Sequence, residues 1–487
     1  MIETVLLVWL KSGLKMFLVT PGSGFGSHMN EKTADPAIPD PRQAEWFQFT
    51  RCDFDPMQGV ASLVYRFDNG PELIERVRFP DAPWPAEAGR QAAFEQALRL
   101  LHLVAGVSYY KAGFSREMRF ARQDPDPVLA TFLTELYVQG LAEFAHVNHL
   151  DLCSRVSFPG TGAPPGATRL ILPERALVAI GGGKDSLVGL HLLRQAGIGV
   201  QPVCVGQSKL IGDTVKAAGL SLLRIERTLA PELAEMNRLG AWNGHVPVTA
   251  INSAILLCAS VLYGFAYIVF SNERSADEAT VVLSDGTAIN HQYAKSSAFE
   301  TGLREVIASQ VSPDIEYFSI LRPFSELEIV RRFCELSEFH SVYSSCNRNF
   351  HIDGSRIEGR WCLDCPKCRF AALALALFLP PGQVAGMMGG DLLDNGDQAD
   401  GFRALCGLGR DKPFECVGET GESRAAMAAL VASEDWRDHA VVIALAAEIE
   451  NVTVPALPGL LAPSASHSIP APVLSQLDFK GPPGEKG

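Results

Sequence analysis

Apolar and amphipathic segments alternate between residues 170 and 272. Short apolar runs of strand length are each followed by a stretch whose apolar residues recur at helical spacing. The predicted elements follow one another as β-α-β-α-β-α-β, at residues 177–180, 186–195, 199–206, 213–218, 222–227, 248–262 and 266–271. This alternation is typical of a parallel sheet with helices on both faces, where ligands bind beyond the carboxyl ends of the strands.

The amino-terminal part of the chain has a different pattern. Residues 59–67 partly alternate, residues 68–70 mark a turn, and residues 73–79 fit the partner strand of a hairpin. Apolar residues at helical spacing then predict one helix over residues 86–107 and a second over residues 128–144. These elements indicate an α+β domain that precedes the parallel sheet.

The 487 residues leave room for about three domains. The sequence Gly-Ser-His-Met at 26–29 resembles the remnant of an expression vector, so residues 1–29 are left out of the fold prediction. The tail, rich in Pro, Ser and Gly, is expected to be loosely ordered. The predicted divisions are an N-terminal, substrate-binding α+β domain at 30–160, a parallel-sheet domain at 168–380, a helical region at 381–454 and the tail at 455–487.

Composition and charge exclude several classes of protein. The net charge of −13 argues against a nucleic-acid partner. No apolar run reaches the roughly 20 residues that span a membrane, so no membrane partner is expected. The odd count of 11 cysteines fits a reducing, cytoplasmic compartment better than a disulfide framework.

A glycine-rich turn follows the first predicted strand of the parallel sheet. It consists of Gly181, Gly182, Gly183, Lys184, Asp185 and Ser186. Glycines leave backbone N–H groups open to a phosphate and tolerate positive φ, and the following helix presents its positive end. Lys184 adds a point charge, and Ser186 can cap the helix or donate to a phosphate. The pattern predicts a phosphate site, with an ordinary strand-to-helix turn as the alternative.

This turn is too short for a Walker A loop and lacks the spacing of a dinucleotide-binding Gly-x-Gly-x-x-Gly. It resembles the PP-loop, Ser-Gly-Gly-x-Asp-Ser, of ATP pyrophosphatases, with Gly181 in place of the first serine. Those enzymes split ATP into AMP and pyrophosphate. The resemblance implies an α/β fold of the PP-loop (HUP-like) type, with a parallel sheet and helices on both faces, beside the N-terminal α+β domain.

Four cysteines form a second cluster, with the spacing Cys-x15-Cys-x2-Cys-x2-Cys. They are Cys346, Cys362, Cys365 and Cys368. Four thiolates close the tetrahedral shell of a structural zinc ion, which is our first interpretation. Free thiols, an iron–sulfur cluster and one reactive thiol are the alternatives. The other cysteines are isolated, and most are expected to be buried: Cys52, Cys153, Cys204, Cys258, Cys334, Cys406 and Cys416.

A polar segment over residues 271–300 follows the last predicted strand of the sheet. Its titratable residues include Glu273, Asp277, Glu278, His291 and Lys295. Such a density of titratable groups at the carboxyl end of a strand suits a reaction centre, and a solvated loop with a hairpin at 284–286 is the alternative. A local basic set follows, which either binds an anion or forms helix surface: Arg322, Arg331, Arg332, Arg348, Arg356, Arg360 and Arg369.

Taken together, several segments make the chain similar to the MurL family, the UDP-N-acetylmuramoyl-L-alanyl-L-glutamate epimerases of some Gram-negative bacteria. The similar segments are GVSYYKA, GGGKDS, FSNERSAD, INHQYAKSSAFE, YSSCNRNF and WCLDCPKCRF. The resemblance covers roughly residues 40–450. It implies inversion of the terminal glutamate of UDP-MurNAc-L-Ala-L-Glu from L to D in peptidoglycan precursor synthesis, with consumption of ATP and Mg²⁺ and release of AMP and pyrophosphate.

The resemblance also implies roles for individual residues. Lys184, Ser186 and the three glycines at 181–183 hold the β- and γ-phosphates, and Asp185 helps to hold Mg²⁺. The candidates for metal or base roles are Glu273 and Asp277. The candidates for proton transfer, or for gripping the glutamate carboxylates, are His291 and Lys295, and Cys346 is an outside candidate for a base.

Two other functions remain open at this stage. The first is a different PP-loop enzyme, such as a 7-cyano-7-deazaguanine synthase or another amide or thiolation ligase, although the acidic net charge opposes a tRNA substrate. The second is a non-catalytic nucleotide-binding module, which the joint presence of Lys184, Asp185 and Ser186 disfavours.

Overall fold

A mixed β-sheet forms the centre of the protein, whose computed structural model describes residues 38–278, 281–282, 288–349, 357, 359–409, 413, 415, 417–477 and 479. The strands are, in chain order, β1 (Trp46–Asp55), β2 (Val60–Phe67), β3 (Glu72–Arg78), β4 (Glu117–Phe120), β5 (Arg175–Ala179), β6 (Gly199–Val205), β7 (Leu223–Thr228), β8 (Tyr267–Phe270), β9 (Val281–Val282), β10 (Ala288–Ile289) and β11 (Glu316–Ser319). Within the described residues, nine strands form one sheet in the order β11-β8-β5-β6-β7-β3-β2-β1-β4, and β9 pairs separately with β10.

Helices account for most of the remaining regular structure. Those before the second half of the sheet are α1 (Ala88–Ala105), α2 (Val107–Gly113), α3 (Pro127–Gly140) and α4 (Ala142–Asn148). Those within and directly after it are α5 (Lys184–Gln195), α6 (Lys209–Ala217), α7 (Pro231–Arg238), α8 (Val248–Tyr263), α9 (Ser297–Val306) and α10 (Glu326–Cys334). The carboxyl-terminal helices are α11 (Pro366–Ala376), α12 (Pro381–Met388), α13 (Ala399–Leu405), α14 (Thr420–Ala432), α15 (Ala440–Glu450), α16 (Leu457–Leu461) and α17 (Ala471–Leu474).

The half of the sheet from β11 to β7 is parallel. The strands and helices predicted between residues 170 and 272 are confirmed, with ends that differ by at most four residues. Helix α7 was not predicted, because Leu233 and Met236 are the only buried residues among its eight, and two residues are too few to establish a helical period.

Apolar side chains of the parallel strands enter two separate cores. Leu177 of β5 packs in the core that contains residues of α1 and α8, whereas its neighbours Ala176 and Val178 pack in the core that contains residues of α5 and α10. Successive side chains of a strand point to opposite faces of the sheet. Helices therefore cover both faces, as predicted.

The N-terminal hairpin joins the same sheet. Strands β2 and β3 pair antiparallel, as predicted, and the helix predicted over residues 86–107 is confirmed as α1. Strand β3 pairs antiparallel with β7, and the buried carboxylate of Glu75 accepts a 2.7 Å hydrogen bond from Arg227 Nε at this seam. The N-terminal region thus extends the parallel half instead of forming a sheet of its own, and the predicted domain bounds stay a prediction.

The helix predicted over residues 128–144 is interrupted. Helix α3 ends at Gly140, and α4 begins after Leu141. A Cβ atom at Gly140 would lie 2.9 Å from Pro247 Cγ, in the loop that precedes α8. Only glycine allows this close approach without a shift of the loop.

The carboxyl-terminal helices pack on the core that contains α5 and α10. Helices α12 to α15 lie within the predicted helical region. The expectation of a loosely ordered tail is wrong for the described residues after 455. Ile469 and Val473 are buried in that core, and the backbone N–H of Ser464 donates to the carbonyl of Pro323 at 2.8 Å, because the apolar residues among the prolines and serines still find partners.

Some predicted features lie outside the described part of the chain. Strands β9 and β10 pair antiparallel on either side of the turn predicted at 284–286, whose own residues are among those not described. The predicted vector remnant at 1–29, Arg356 and Cys416 also lie outside it. None of the helices that are described is long and apolar enough to cross a bilayer.

Candidate functional site

A cavity of about 290 Å³ opens at the carboxyl ends of β5 and β8. The glycine-rich turn after β5 forms one wall, and residues 270–273 at the end of β8 form another. Both motifs follow parallel strands, so the sheet brings their ends to one edge. The structure confirms the prediction that they meet at one site.

The glycine-rich turn needs glycine at its centre. Gly182 has a φ of +82°, which residues with a side chain rarely adopt. Gly181 has no atom within 4 Å of the place where a Cβ would stand, so this part of the turn is open. Gly183 precedes the first turn of α5 and supplies no side-chain cap, and Ser186 Oγ donates to the Gly183 carbonyl at 3.1 Å. The open turn and the positive end of α5 suit an anion.

Lys184 lies between two carboxylates on the cavity wall. Its Nζ is 2.5 Å from Asp185 Oδ1 and also contacts Glu326 Oε2. Burial alone would lower the pKa of Lys184, but the two carboxylates outweigh it and raise the pKa. The ammonium group is therefore charged, and its two contacts use two of its three N–H donors.

Three carboxylates come together beside this lysine. One oxygen from each of Asp185, Glu273 and Glu326 lies within 4.8 Å of the others. Burial raises the pKa of Glu326 well above its ordinary value, and Asp185 and Glu273 add to this although Lys184 opposes it. Hard oxygen ligands at such spacing suit Mg²⁺, and the charge of a divalent ion would relieve the repulsion among them.

Glu326 was not among the predicted site residues. It is the first residue of α10, directly after Ser325, whose Oγ accepts from the N–H of Glu328. The sequence Ser-x-x-Glu at 325–328 is a signal for the start of a helix. No sequence signal marks the approach of Glu326 to Lys184, which precedes it by 142 positions.

Arg322 connects two segments of the cavity wall. Its guanidinium donates to the Glu273 carbonyl at 2.8 Å and to the Lys295 carbonyl at 2.6 Å, and pairs with Glu300 at 3.1 Å. The Arg322 side chain is 3% exposed. This arginine of the predicted basic set therefore positions the site from within the protein and is not open to a ligand in solution.

Most other arginines of that set form ion pairs or backbone contacts. Arg331 and Arg332 both pair with the buried carboxylate of Glu328, and Arg332, whose side chain is 11% exposed, also donates to the carbonyl of Phe479, so Arg332 does not form a solvated helix surface. Arg348 and Arg369 pair with Asp364. Arg360 donates to the carbonyls of residues 340 and 343. None of the six described arginines of the set is among the residues that line the cavity.

The four proposed catalytic residues occupy different places. Glu273 and Lys295 line the cavity. Asp277 accepts a 2.7 Å hydrogen bond from the backbone N–H of Ser297 at the start of α9. His291 contacts Glu143 and stands beside His245, neither of which was predicted as a site residue. Neither Asp277 nor His291 is among the described residues that line the cavity.

The four cysteines of the cluster converge in space. Sγ–Sγ distances are 3.7 Å between Cys362 and Cys368, 3.5 Å between Cys365 and Cys368, and 4.0 Å between Cys365 and Cys346. Four sulfur atoms at about 2.3 Å from a tetrahedral zinc ion are about 3.8 Å apart, so the described thiols fit a zinc ion.

The cysteine cluster stands directly behind the cavity. Ser344 and Ser345, next to Cys346, line the cavity, as do Lys367 and Phe370 of α11. The backbone N–H of Ser344 donates to the carbonyl of residue 182 in the glycine-rich turn at 3.3 Å. A metal ion here would join the two segments that support this turn.

The isolated cysteines mostly behave as expected. Cys52, Cys204, Cys258 and Cys406 are buried, whereas Cys153 is exposed and Cys334 is intermediate.

Comparisons with known proteins point to one family. The family described as the MurL N-terminal domain matches residues 39–320, and the family described as the MurL C-terminal domain matches residues 342–457. Together the two matches cover most of the chain.

Similar proteins with this description occur in several bacteria. A protein of Xanthomonas oryzae pv. oryzae is 45% identical over 88% of this chain and 96% of its own length. A protein of Micromonospora sp. is 38% identical over 90% of this chain and 98% of its own length, and one of Salinispora tropica is 40% identical over 83% and 89%. All three are named UDP-N-acetyl-alpha-D-muramoyl-L-alanyl-L-glutamate epimerase.

Proposed function

Because the chain belongs to the MurL family, we propose that it is an isomerase that inverts the terminal L-glutamate of UDP-MurNAc-L-Ala-L-Glu, with ATP and Mg²⁺ as co-substrate and cofactor. The observation that carries the ATP dependence is the open glycine-rich turn, which faces the same cavity as the carboxylates of Asp185, Glu273 and Glu326. A triphosphate needs backbone N–H donors, and its Mg²⁺ needs oxygen ligands nearby.

The consumption of ATP follows from the acidity of the substrate. The α-carbon of the terminal glutamate stands beside an ionised carboxylate, so loss of its proton would create a second negative charge next to the first. Attack of that carboxylate on the α-phosphorus of ATP forms an acyl-adenylate and releases pyrophosphate. The acyl carbonyl then accepts the electron pair of the C–H bond, which makes proton transfer feasible. Hydrolysis after inversion releases AMP and the D epimer.

Lys184, Asp185 and Glu326 are suited to the release of pyrophosphate. A Mg²⁺ ion bound to the three carboxylates would supply positive charge to the phosphates. Asp185 and Glu326 would then no longer need the ammonium group of Lys184, which is free to turn towards the β- and γ-phosphates. The glycine-rich turn and the first turn of α5 offer N–H donors to the same oxygens. This arrangement supports the PP-loop type of chemistry for the cavity.

A structural zinc ion completes the proposal. The four thiols of the cysteine cluster are within the separation that tetrahedral zinc requires. Zinc would hold the segment at 344–346 against the first turn of α11 and so keep the wall behind the glycine-rich turn in place.

The test is a pyrophosphate-release assay with the full-length protein, ATP, Mg²⁺ and UDP-MurNAc-L-Ala-L-Glu. Lys184→Ala is expected to lower the rate by at least about 10²-fold while leaving the fold intact. Lys216→Ala, an exposed lysine of α6, is the matched control and should retain the wild-type rate. Unchanged release from Lys184→Ala would contradict the phosphate assignment.

The same assay separates the alternatives. Release with 7-carboxy-7-deazaguanine and not with the muramoyl dipeptide would indicate a 7-cyano-7-deazaguanine synthase. ATP binding without AMP from any substrate would indicate a nucleotide-binding module. Formation of the D-glutamate epimer together with AMP would support the proposal over both.

A further inference from the structure

Two histidines and a glutamate from three separate segments of the chain meet in the fold. Glu143 comes from α4, His245 from the loop before α8, and His291 from the turn after β10. Glu143 Oε2 contacts His291 Nδ1 and lies 3.6 Å from His245 Nδ1, and the two imidazole centroids are 4.6 Å apart. Each side chain is between 19% and 25% exposed, so the group is partly buried but still accessible to solvent.

The position of this group relative to the cavity follows from the chain. His245 precedes Thr249, in the first turn of α8, by four residues, and His291 precedes Lys295 by four residues. Thr249 and Lys295 both line the cavity. The loop with His245 lies against the end of α3, where Gly140 faces Pro247. His245 and His291 are therefore each only four residues along the chain from a residue of the cavity wall.

The electrostatic states of the three side chains differ. Burial lowers the pKa of His245 to about 4, with a further contribution from His291 that outweighs the attraction of Glu143. Burial of Glu143 would raise its pKa, but the hydrogen bond with His291 and the charge interactions with His291 and His245 together outweigh burial and lower the pKa. His245 is therefore neutral near pH 7, and Glu143 is a carboxylate that orients the ring of His291 through Nδ1.

We propose that His245 and His291, with Glu143 as a positioning residue, transfer the proton at the α-carbon of the terminal glutamate. This inference rests on the proposed function. An imidazole nitrogen accepts the α-proton while the C–H electron pair moves into the carbonyl of the acyl-adenylate. A proton returns to the opposite face of the carbon from a different donor. The imidazolium then loses its proton to water, and the donor regains a proton from water.

The ring separation decides that the two histidines act on the same face. Groups that flank a carbon from opposite sides each stand about 3–3.5 Å from it, so their reacting atoms are about 6–7 Å apart. Rings with centroids at 4.6 Å are too close for this. The donor on the other face must come from another segment, and Lys295 of the cavity wall offers an ammonium group for that role.

The experiment separates proton transfer from adenylation. His245→Asn, His291→Asn and Glu143→Gln are compared with wild type in D₂O, with UDP-MurNAc-L-Ala-L-Glu, ATP and Mg²⁺. Pyrophosphate release reports adenylation, and deuterium at the glutamate α-carbon reports proton transfer. His146→Asn, an exposed histidine of α4, is the control. We expect pyrophosphate release within about threefold of wild type, and α-deuteration reduced by about 10²-fold or more in His291→Asn.

A further variant distinguishes chemistry from a structural role. Added imidazole should restore part of the α-deuteration in His291→Ala and none in Glu143→Ala. Free imidazole can take the place of the missing histidine side chain but not of a missing carboxylate. Rescue of this kind is not expected for a residue that merely supports the fold.

Several results would overturn the assignment. Wild-type α-deuteration in both histidine variants would exclude His245 and His291 as proton-transfer residues without contradicting the proposed function. Equal loss of pyrophosphate release and α-deuteration would show that the group serves substrate binding. Two zinc ions per wild-type chain that fall to one in His245→Asn would identify a metal site instead. No pyrophosphate from wild type would remove the proposed function itself.

Discussion

The ammonium group of Lys184 contacts the carboxylate of Glu326, although 142 positions separate the two residues in the chain. The contact joins the first turn of α5 to the first turn of α10 on one wall of the cavity. Both side chains are less than one-tenth exposed, so neither is satisfied by water. Glu326 therefore belongs to the same charge arrangement as the glycine-rich turn.

Replacement of Glu326 by glutamine tests this arrangement. Glu326→Gln removes one of three oxygen ligands of the proposed Mg²⁺ site and one partner of Lys184. We expect the rate of pyrophosphate release to fall by about 10²-fold and the Mg²⁺ concentration for half-maximal rate to rise. Glu335→Gln, an exposed glutamate at the end of the same helix, is the control. An unchanged Mg²⁺ dependence would exclude Glu326 as a ligand.

Replacement of Arg322 tests the connection of two cavity segments. Arg322→Lys cannot keep its contacts with the carbonyls of Glu273 and Lys295 and the carboxylate of Glu300 together. We expect the free energy of unfolding in urea to fall by about 3 kcal/mol, because a buried carboxylate loses its partner. Arg238→Lys alters an exposed ion pair and is the control. It should change the free energy of unfolding by less than about 1 kcal/mol. Equal effects of the two variants would contradict a connecting role for Arg322.

Metal analysis tests the cysteine cluster. The purified protein is expected to hold one zinc ion per chain, measured by elemental analysis. Cys365→Ser should lose the zinc and lower the melting temperature, since metal binding stabilises the folded state. Cys153→Ser removes an exposed cysteine outside the cluster and should leave both unchanged. Iron in place of zinc, or full stability of Cys365→Ser, would reject a structural zinc site.

The lowered pKa of Lys111 implies that its contribution to the free energy of unfolding increases with pH. Burial lowers its pKa from 10.5 to about 8, and its Nζ donates to the uncharged Oδ1 of Asn243 at 2.7 Å. Between about pH 8 and 10.5, the unfolded chain binds this proton and the folded chain does not, so the contribution of Lys111 to stability increases as pH rises. Lys111→Met should stabilise the protein at pH 7 and remove this contribution.

Urea unfolding at pH 7.5 and pH 10 measures the difference. The pKa of Lys111 differs by about 2.5 between the unfolded and the folded chain, which corresponds to about 3 kcal/mol of free energy of unfolding. The full difference is reached only when the pH has risen above both pKa values. Lys216→Met, an exposed lysine, is the control and should follow wild type at both pH values. A parallel pH dependence of wild type and Lys111→Met would show that Lys111 has an ordinary pKa.

Local sequence patterns predicted the parallel half of the sheet well. The strands and helices that were predicted between residues 170 and 272 bury their own apolar residues, so their periods are visible in the sequence, whereas α7 and β11 were not predicted. Local sequence patterns were less predictive where contacts between residues distant in the chain determine the structure. The helix predicted over 128–144 is interrupted after Gly140, which lies against Pro247, and among the described residues after 455, Ile469 and Val473 are buried in a core formed by distant helices.

The amino-acid sequence by itself determined the strand–turn–helix unit with Gly182 and Lys184 and the thiol spacing around Cys365, because neighbours in the chain define both. Only the tertiary structure decided that Glu326 reaches Lys184 and that Glu143 meets His291. Those side chains are more than 100 positions apart, and no periodicity records their meeting. Their proximity depends on how the helices pack on the two faces and at the edge of one sheet.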